Sequence, residues 1–181
     1  MTAMTLARKL DDLHKHFIAA EIARHIVVAG DTGHAMRKIS RFLIDSLLWC
    51  WTADGIDGDG DAKRDLLKYD CDLQRHTAAA VERWEENGRK GTGLRHEHAV
   101  PRRELIELLL RLRPTETEVF DLLEKMCFAV IVTKEEDDKL SEKYRNRMPT
   151  TLSRDTNGDA LLARYIEVNL KTAIRSPRRA G

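Results

Sequence analysis

Apolar positions recur at three- and four-residue steps through much of this chain, and that spacing predicts helices. Leu6, Leu10, Leu13, Phe17, Ala20 and Ile22 to Ile26 mark an amphipathic helix from about Thr5 to Ala29, closed by Gly30-Asp31-Thr32-Gly33. A second helix, from His34 to about Trp51, carries Met36, Ile39, Phe42, Leu43, Leu47 and Leu48 as its core face. The short Gly-containing turn between them predicts an antiparallel pair. A third helical stretch runs from Ala62 to about Asn87, with Leu66, Leu67, Tyr69, Leu73, Ala80 and Trp84 inward, and Asn87-Gly88 stops it. After Pro101 a Leu-rich helix spans Glu104 to Leu112. Pro114 restarts the chain, and Thr115 with Glu118 forms a capping-box pattern ahead of Val119, Phe120, Leu122, Leu123 and Met126.

The pattern changes at Cys127. Phe128 to Thr133 is a continuous apolar, β-branched run, the best strand in the sequence, and Thr133 caps a helix whose first turn is acidic, as the helix dipole favours. A last helix is expected from about Asp159 to Ile174, followed by a disordered tail over 176–181. The predicted class is α+β: a mostly helical single domain over 1–175 with a small two-stranded ββα-like element. Its parts are a helical portion over 1–88, the ββα-like portion with a helical insertion over 89–149, and a C-terminal loop and helix over 150–175.

Composition narrows the picture. The chain has 181 residues, 42% hydrophobic and 34% charged, enough for one well-cored domain. A net charge of +1 gives no strong field, so local charge decides. Arg89 to Arg113 carries seven Lys or Arg against three Glu, and this is where phosphate contacts are expected, through Arg89, Lys90, Arg102 and Arg103. The acidic turn containing Asp57, Asp59 and Asp61 opens like a calcium loop, but Ala62 and Lys68 stand where a Gly and a bidentate Glu are needed. Gly91-Thr92-Gly93 has no preceding strand and no third Gly, so it is no dinucleotide fingerprint. Cys50, Cys71 and Cys127 are too widely spaced for a zinc knuckle and read as buried thiols. The N-terminus has no long apolar core and no window approaches the ~20 apolar residues that span a bilayer, so a cytoplasmic protein without a membrane partner is expected.

The chemistry concentrates in Leu94-Arg95-His96-Glu97-His98-Ala99-Val100-Pro101, where a carboxylate sits beside an imidazole just before a Pro. A short extended piece ending in Glu97-His98, then the strand to Thr133, then a helix bearing Asp137, gives the order β, β, α. This order, with Glu-His-x-Val-Pro closing the first strand, resembles the HNH endonucleases of the ββα-metal group. The resemblance covers Leu94 to Leu140. Asp137 stands where that family usually has His or Asn, and the helices between Pro101 and Met126 form a longer insertion than its compact members carry.

The resemblance implies a metal-dependent endonuclease, active or degenerate, hydrolysing DNA phosphodiester bonds. Glu97 and Asp137 would hold magnesium or manganese, His98 would act as general base, and Arg95 or Arg102 would neutralise charge on the phosphoryl oxygens. His96 and His98 would share a strand face, which leaves a zinc pair as the alternative metal site. Val100 breaks a His-Glu-x-x-His pattern, so a zincin protease is unsupported. The competing class is a non-enzymatic helical protein, a regulator or immunity-type partner, that binds nucleic acid or an acidic protein. An apolar face on the first two helices would serve a homodimer in either class.

Overall fold

The computed structural model describes residues 3–53, 68–72, 74–152 and 157–170, with side chains in the first helix from residue 13 onward. The acidic turn, residues 62–67 and the 176–181 tail lie outside these residues, as does the end of the last expected helix. The elements are α1 (Ala3–Asp31), α2 (His34–Ala53), β1 (Arg75–His76), α3 (Ala78–Glu86), β2 (Leu94–His98), α4 (Arg102–Leu112), α5 (Glu116–Met126), β3 (Ala129–Thr133), α6 (Lys134–Tyr144), α7 (Gly158–Leu161) and α8 (Ala163–Glu167). The architecture is mostly helical α+β. It divides into two compact units, each discontinuous in sequence: Met1–Gly55 with Arg102–Cys127, and Ile56–Pro101 with Phe128–Gly181. The helical insertion therefore belongs with the N-terminal helices.

The first unit packs α1, α2, α4 and α5 around Ile18, Ile22, Ile26, Ile44, Leu48, Leu105, Leu109, Val119 and Leu123, all essentially buried. Phe120 joins α5 to α1 by stacking on His16 at 4.3 Å between ring centroids. The helix positions match the periodicity, and the buried face matches it in part: Ile22, Ile26 and Leu48 turn inward as read. Leu13, Phe17, Met36, Ile39 and Phe42 are exposed, Phe42 by 69%, whereas Ser40 is buried at 1%. On α2 the Ser40, Ile44, Leu48 and Trp51 stripe turns inward, so of the side chains read as core by spacing Leu48 is buried, Leu43 and Leu47 are half-buried, and Met36, Ile39 and Phe42 lie on the outer flank.

The second unit holds a three-stranded sheet in the order β1-β3-β2, with β1 parallel and β2 antiparallel to β3. The third strand corrects the reading of 62–87 as one helix: Arg75 and His76 pair with Val130 and Ile131, and α3 begins only after Thr77. One face of the sheet packs Leu94 and Ile131 on Ala80 and Trp84 of α3, with Cys71. The other packs Val130, Val132 and Ala99 on Leu140 of α6 and Tyr165 of α8. β3 enters α6 without a linker because Thr133 ends the strand and caps the helix, its hydroxyl accepting from Glu136 N at 3.2 Å. The Glu136 carboxylate accepts in return from Thr133 N at 2.9 Å and from the Thr77 hydroxyl at 2.6 Å, and Thr77 itself caps α3 by accepting from Ala80 N. One buried carboxylate thus ties the starts of two helices to the end of β3.

Candidate functional site

The β2–β3 register decides which side chains can meet. Arg95 lies opposite Val132, Glu97 opposite Val130, His96 opposite Ile131 and His98 opposite Ala129. Side chains of directly opposed residues share a face. Arg95 and Glu97 therefore stand on the α6 and α8 face, while His96 and His98 stand on the α3 face. Burial along the strand alternates accordingly, with His96 and His98 buried at 7% and 6%. The ladder continues past the strand end, since Ala99 N donates to Phe128 O at 2.9 Å, so the alternation holds through His98.

On the α6 and α8 face the central group is Arg164, 0% exposed. Its Nε donates to Ala99 O at 3.1 Å and its Nη1 to Tyr144 O at 3.3 Å, while Nη2 donates to both the Glu97 carboxylate and His98 O. The guanidinium also lies 5.3 Å from the Tyr165 ring centroid. Such a fork suits a cation that must be buried: it is always charged and its planar donors reach several acceptors at once. Asp137, in the first turn of α6, belongs to the same neighbourhood. Burial holds its carboxyl above the usual value, against the opposing pull of Arg95, Arg164 and Arg145.

The expected residues therefore separate. Arg164 pairs with Glu97, Asp137 feels the charge of Arg95 and Arg164, and the His98 side chain lies on the other face. Glu97 already carries the Arg164 guanidinium, so a divalent cation shared by Glu97 and Asp137 would have to compete with that charge. On the α3 face His96 and His98 sit edge to face at 6.2 Å, sharing the side that a zinc pair needs. Burial pushes the His96 imidazole down to about 4, so at neutral pH it is uncharged. Among the described residues no group of three His, Cys, Asp or Glu converges to hold a metal.

The expected phosphate contacts have mixed surroundings. Arg89, held at φ 65° just after Gly88, places its guanidinium 4.8 Å from the Trp84 ring and 3.5 Å from Asp72. Arg102, in the helical unit, donates to Asp45 at 2.9 Å and lies over Trp49, which makes it a structural tie. Lys90, Arg95 and Arg103 are exposed. The residue sequence reasoning missed is Arg164. Its signal was its spacing: with Leu161, Tyr165 and Val168 it falls on an i, i+3, i+4, i+7 stripe, the only charge in that inward row.

No described helix is long and apolar enough to cross a membrane. No protein-family model, curated protein or solved structure matches the chain.

Proposed function

We propose that the chain is a non-hydrolytic, HNH-like ββα protein that binds the phosphate backbone of DNA through the exposed Arg95 of β2, with the Arg164 guanidinium standing where the family places a metal ion. The observation that carries this reading is the Arg164–Glu97 ion pair on the sheet face opposite His98. A guanidinium fixed on the Glu97 carboxylate supplies the positive charge of a metal centre but no activated water, and the imidazole that would take a proton lies across the sheet. Arg95, exposed and on the same face, supplies the phosphate contact, with the exposed Lys90 as a further cation of the same unit.

The test is fluorescence anisotropy with a short DNA duplex over a salt series, alongside plasmid nicking with magnesium or manganese. Binding without nicking is expected, with Arg95→Gln weakening it evenly across sequences and lowering the salt slope by about one. Binding that ignores Arg95→Gln refutes the assigned contact. The rival reading is metal-dependent cleavage of DNA, and the direct run of β3 into α6 favours it. Nicking that needs the metal and is lost in His98→Ala with the fold intact establishes that rival.

A further inference from the structure

The helical unit contains an arginine-lined cavity of about 310 Å³ that the DNA reading leaves unused. Its cationic walls are Arg37 and Arg41 of α2, Arg111 of α4, and Arg113 just beyond α4. Ile26 of α1 and Leu110 of α4 contribute apolar surface. Glu107, the one carboxylate among the lining residues, accepts from Arg41, and Asp31 lies 3.8 Å from Arg113. Like charges gathered around one concave space repel unless an anion is drawn among them.

The cavity is also built. Arg37 Nε donates to Ala29 O at 3.1 Å, which fixes that guanidinium at the carbonyl end of α1. Arg113 occupies the left-handed region at φ 47°, a conformation a residue with a β-carbon seldom adopts, and its backbone N donates to Leu109 O at 2.9 Å. That turn lays its guanidinium over Gly30, where any β-carbon would overlap it. A Gly without a side chain, a strained Arg and a pinned Arg are three separate local requirements met at one wall.

We infer that this cavity is a binding site for a free phosphorylated small molecule, whose phosphoryl oxygens take the guanidinium donors while its organic part lies on Leu110. The volume lies within the roughly 300–1,000 Å³ of small-ligand sites, and forked guanidinium donors match phosphoryl oxygens two at a time. The site is distinct from the Arg95 contact, so either can fail without the other.

The test is calorimetric titration of the full chain with inorganic pyrophosphate and with a nucleoside triphosphate, no metal added, and circular dichroism melts to certify each variant's fold. Arg113→Gln and Arg41→Gln should each weaken binding about tenfold, as loss of a charge-assisted contact does. Glu107→Gln should tighten it about threefold by removing the one carboxylate in the wall, a sign that no merely structural role produces. Arg95→Gln should leave it unchanged. Absence of pyrophosphate and nucleotide binding overturns the proposal, as does a Glu107→Gln variant that binds no more tightly. Binding of a DNA duplex, but of neither small molecule, that depends on Arg113 overturns it in favour of backbone phosphate.

Discussion

Removing the Arg164 guanidinium should damage the second unit more than any other single truncation on its sheet. Arg164→Ala leaves three buried carbonyls, of Ala99, Tyr144 and His98, without their donor and strips Glu97 of its partner. Each carbonyl loses about 1 kcal/mol, part of which water entering the vacated space recovers. A broken buried ion pair costs about 3–5 kcal/mol when both ends are dry. Here the Glu97 side chain is 26% exposed against 1% for Arg164, so the carboxylate keeps some water and its share sits at the low end. These contributions overlap, and a total of about 3–5 kcal/mol is expected, a large part of a typical domain's stability.

Glu97→Gln keeps an acceptor oxygen and should cost only about 1–2 kcal/mol. The double-mutant cycle should then return a coupling of about 1–2 kcal/mol. Urea unfolding followed by circular dichroism measures each corner, with hydrogen exchange at the β2 and β3 amides reporting on the second unit alone. The functional half of the reasoning has its own readout. If Arg164 supplies the positive charge that a metal would, Arg164→Met, which keeps volume but not charge, should gain manganese affinity over the parent by electron paramagnetic resonance. A cost below 1 kcal/mol for Arg164→Ala, or additive effects in the cycle, refutes the structural argument; an Arg164→Met variant that binds no more manganese than the parent refutes the substitution argument.

Three further outcomes are expected. Glu136→Ala removes the acceptor shared by Thr77 and Thr133 and should cost about 3 kcal/mol, with Glu136→Gln costing about 1 kcal/mol, both read from urea midpoints. The His96 imidazole, pushed down from 6.5 to about 4, is neutral in the folded state while the unfolded chain takes up a proton near 6.5. Its contribution is therefore present above that pH and lost as pH falls toward 4, about 3 kcal/mol in all, and His96→Gln should flatten this part of the stability profile; an NMR titration of His96 centred near 6.5 contradicts it. Cys71 and Cys127 are buried, with the Cys71 thiol pushed up to about 12 by burial, so a thiol reagent at pH 8 should label Cys50 first and reach those two only at the rate of unfolding.

Local signals were legible where local physics decides. The β-branched run Val130 to Thr133, the Thr133 cap and the Thr115–Glu118 box all form as the residues dictate, the last with Thr115 N donating to Glu118 at 2.9 Å. What was not legible depends on partners distant in sequence. Arg75 and His76 have no strand pattern of their own and are extended because β3 offers them a free edge. Met36, Ile39 and Phe42 have the same helical spacing as Leu48, yet α1 and α4 bury Leu48 together with Ser40 and Ile44 and leave those three outside. Arg164 opens a segment in which five Lys or Arg stand against one Glu, so its charge alone does not set it apart, and its burial against Ala99, Tyr144 and Glu97 gives it a role.

The pairing of Glu97 with His98 as one active centre met the same obstacle in sharper form. Adjacent residues in a strand point to opposite faces, so sequence adjacency inside a ladder separates two side chains unless the strand breaks between them. Here it does not break: Ala99 is still bonded to Phe128, and its side chain returns to the Glu97 face beside Val130 and Val132. A centre using both groups would require the ladder to open at Ala99, freeing His98 to turn. Arg164 opposes that opening directly, since it holds the carbonyls of His98 and Ala99 together with the Glu97 carboxylate. The residue that neutralises Glu97 also locks the strand geometry that keeps His98 away, so hydrolysis through Glu97 and His98 together would demand two changes at once, while the phosphate contact proposed for Arg95 would demand neither.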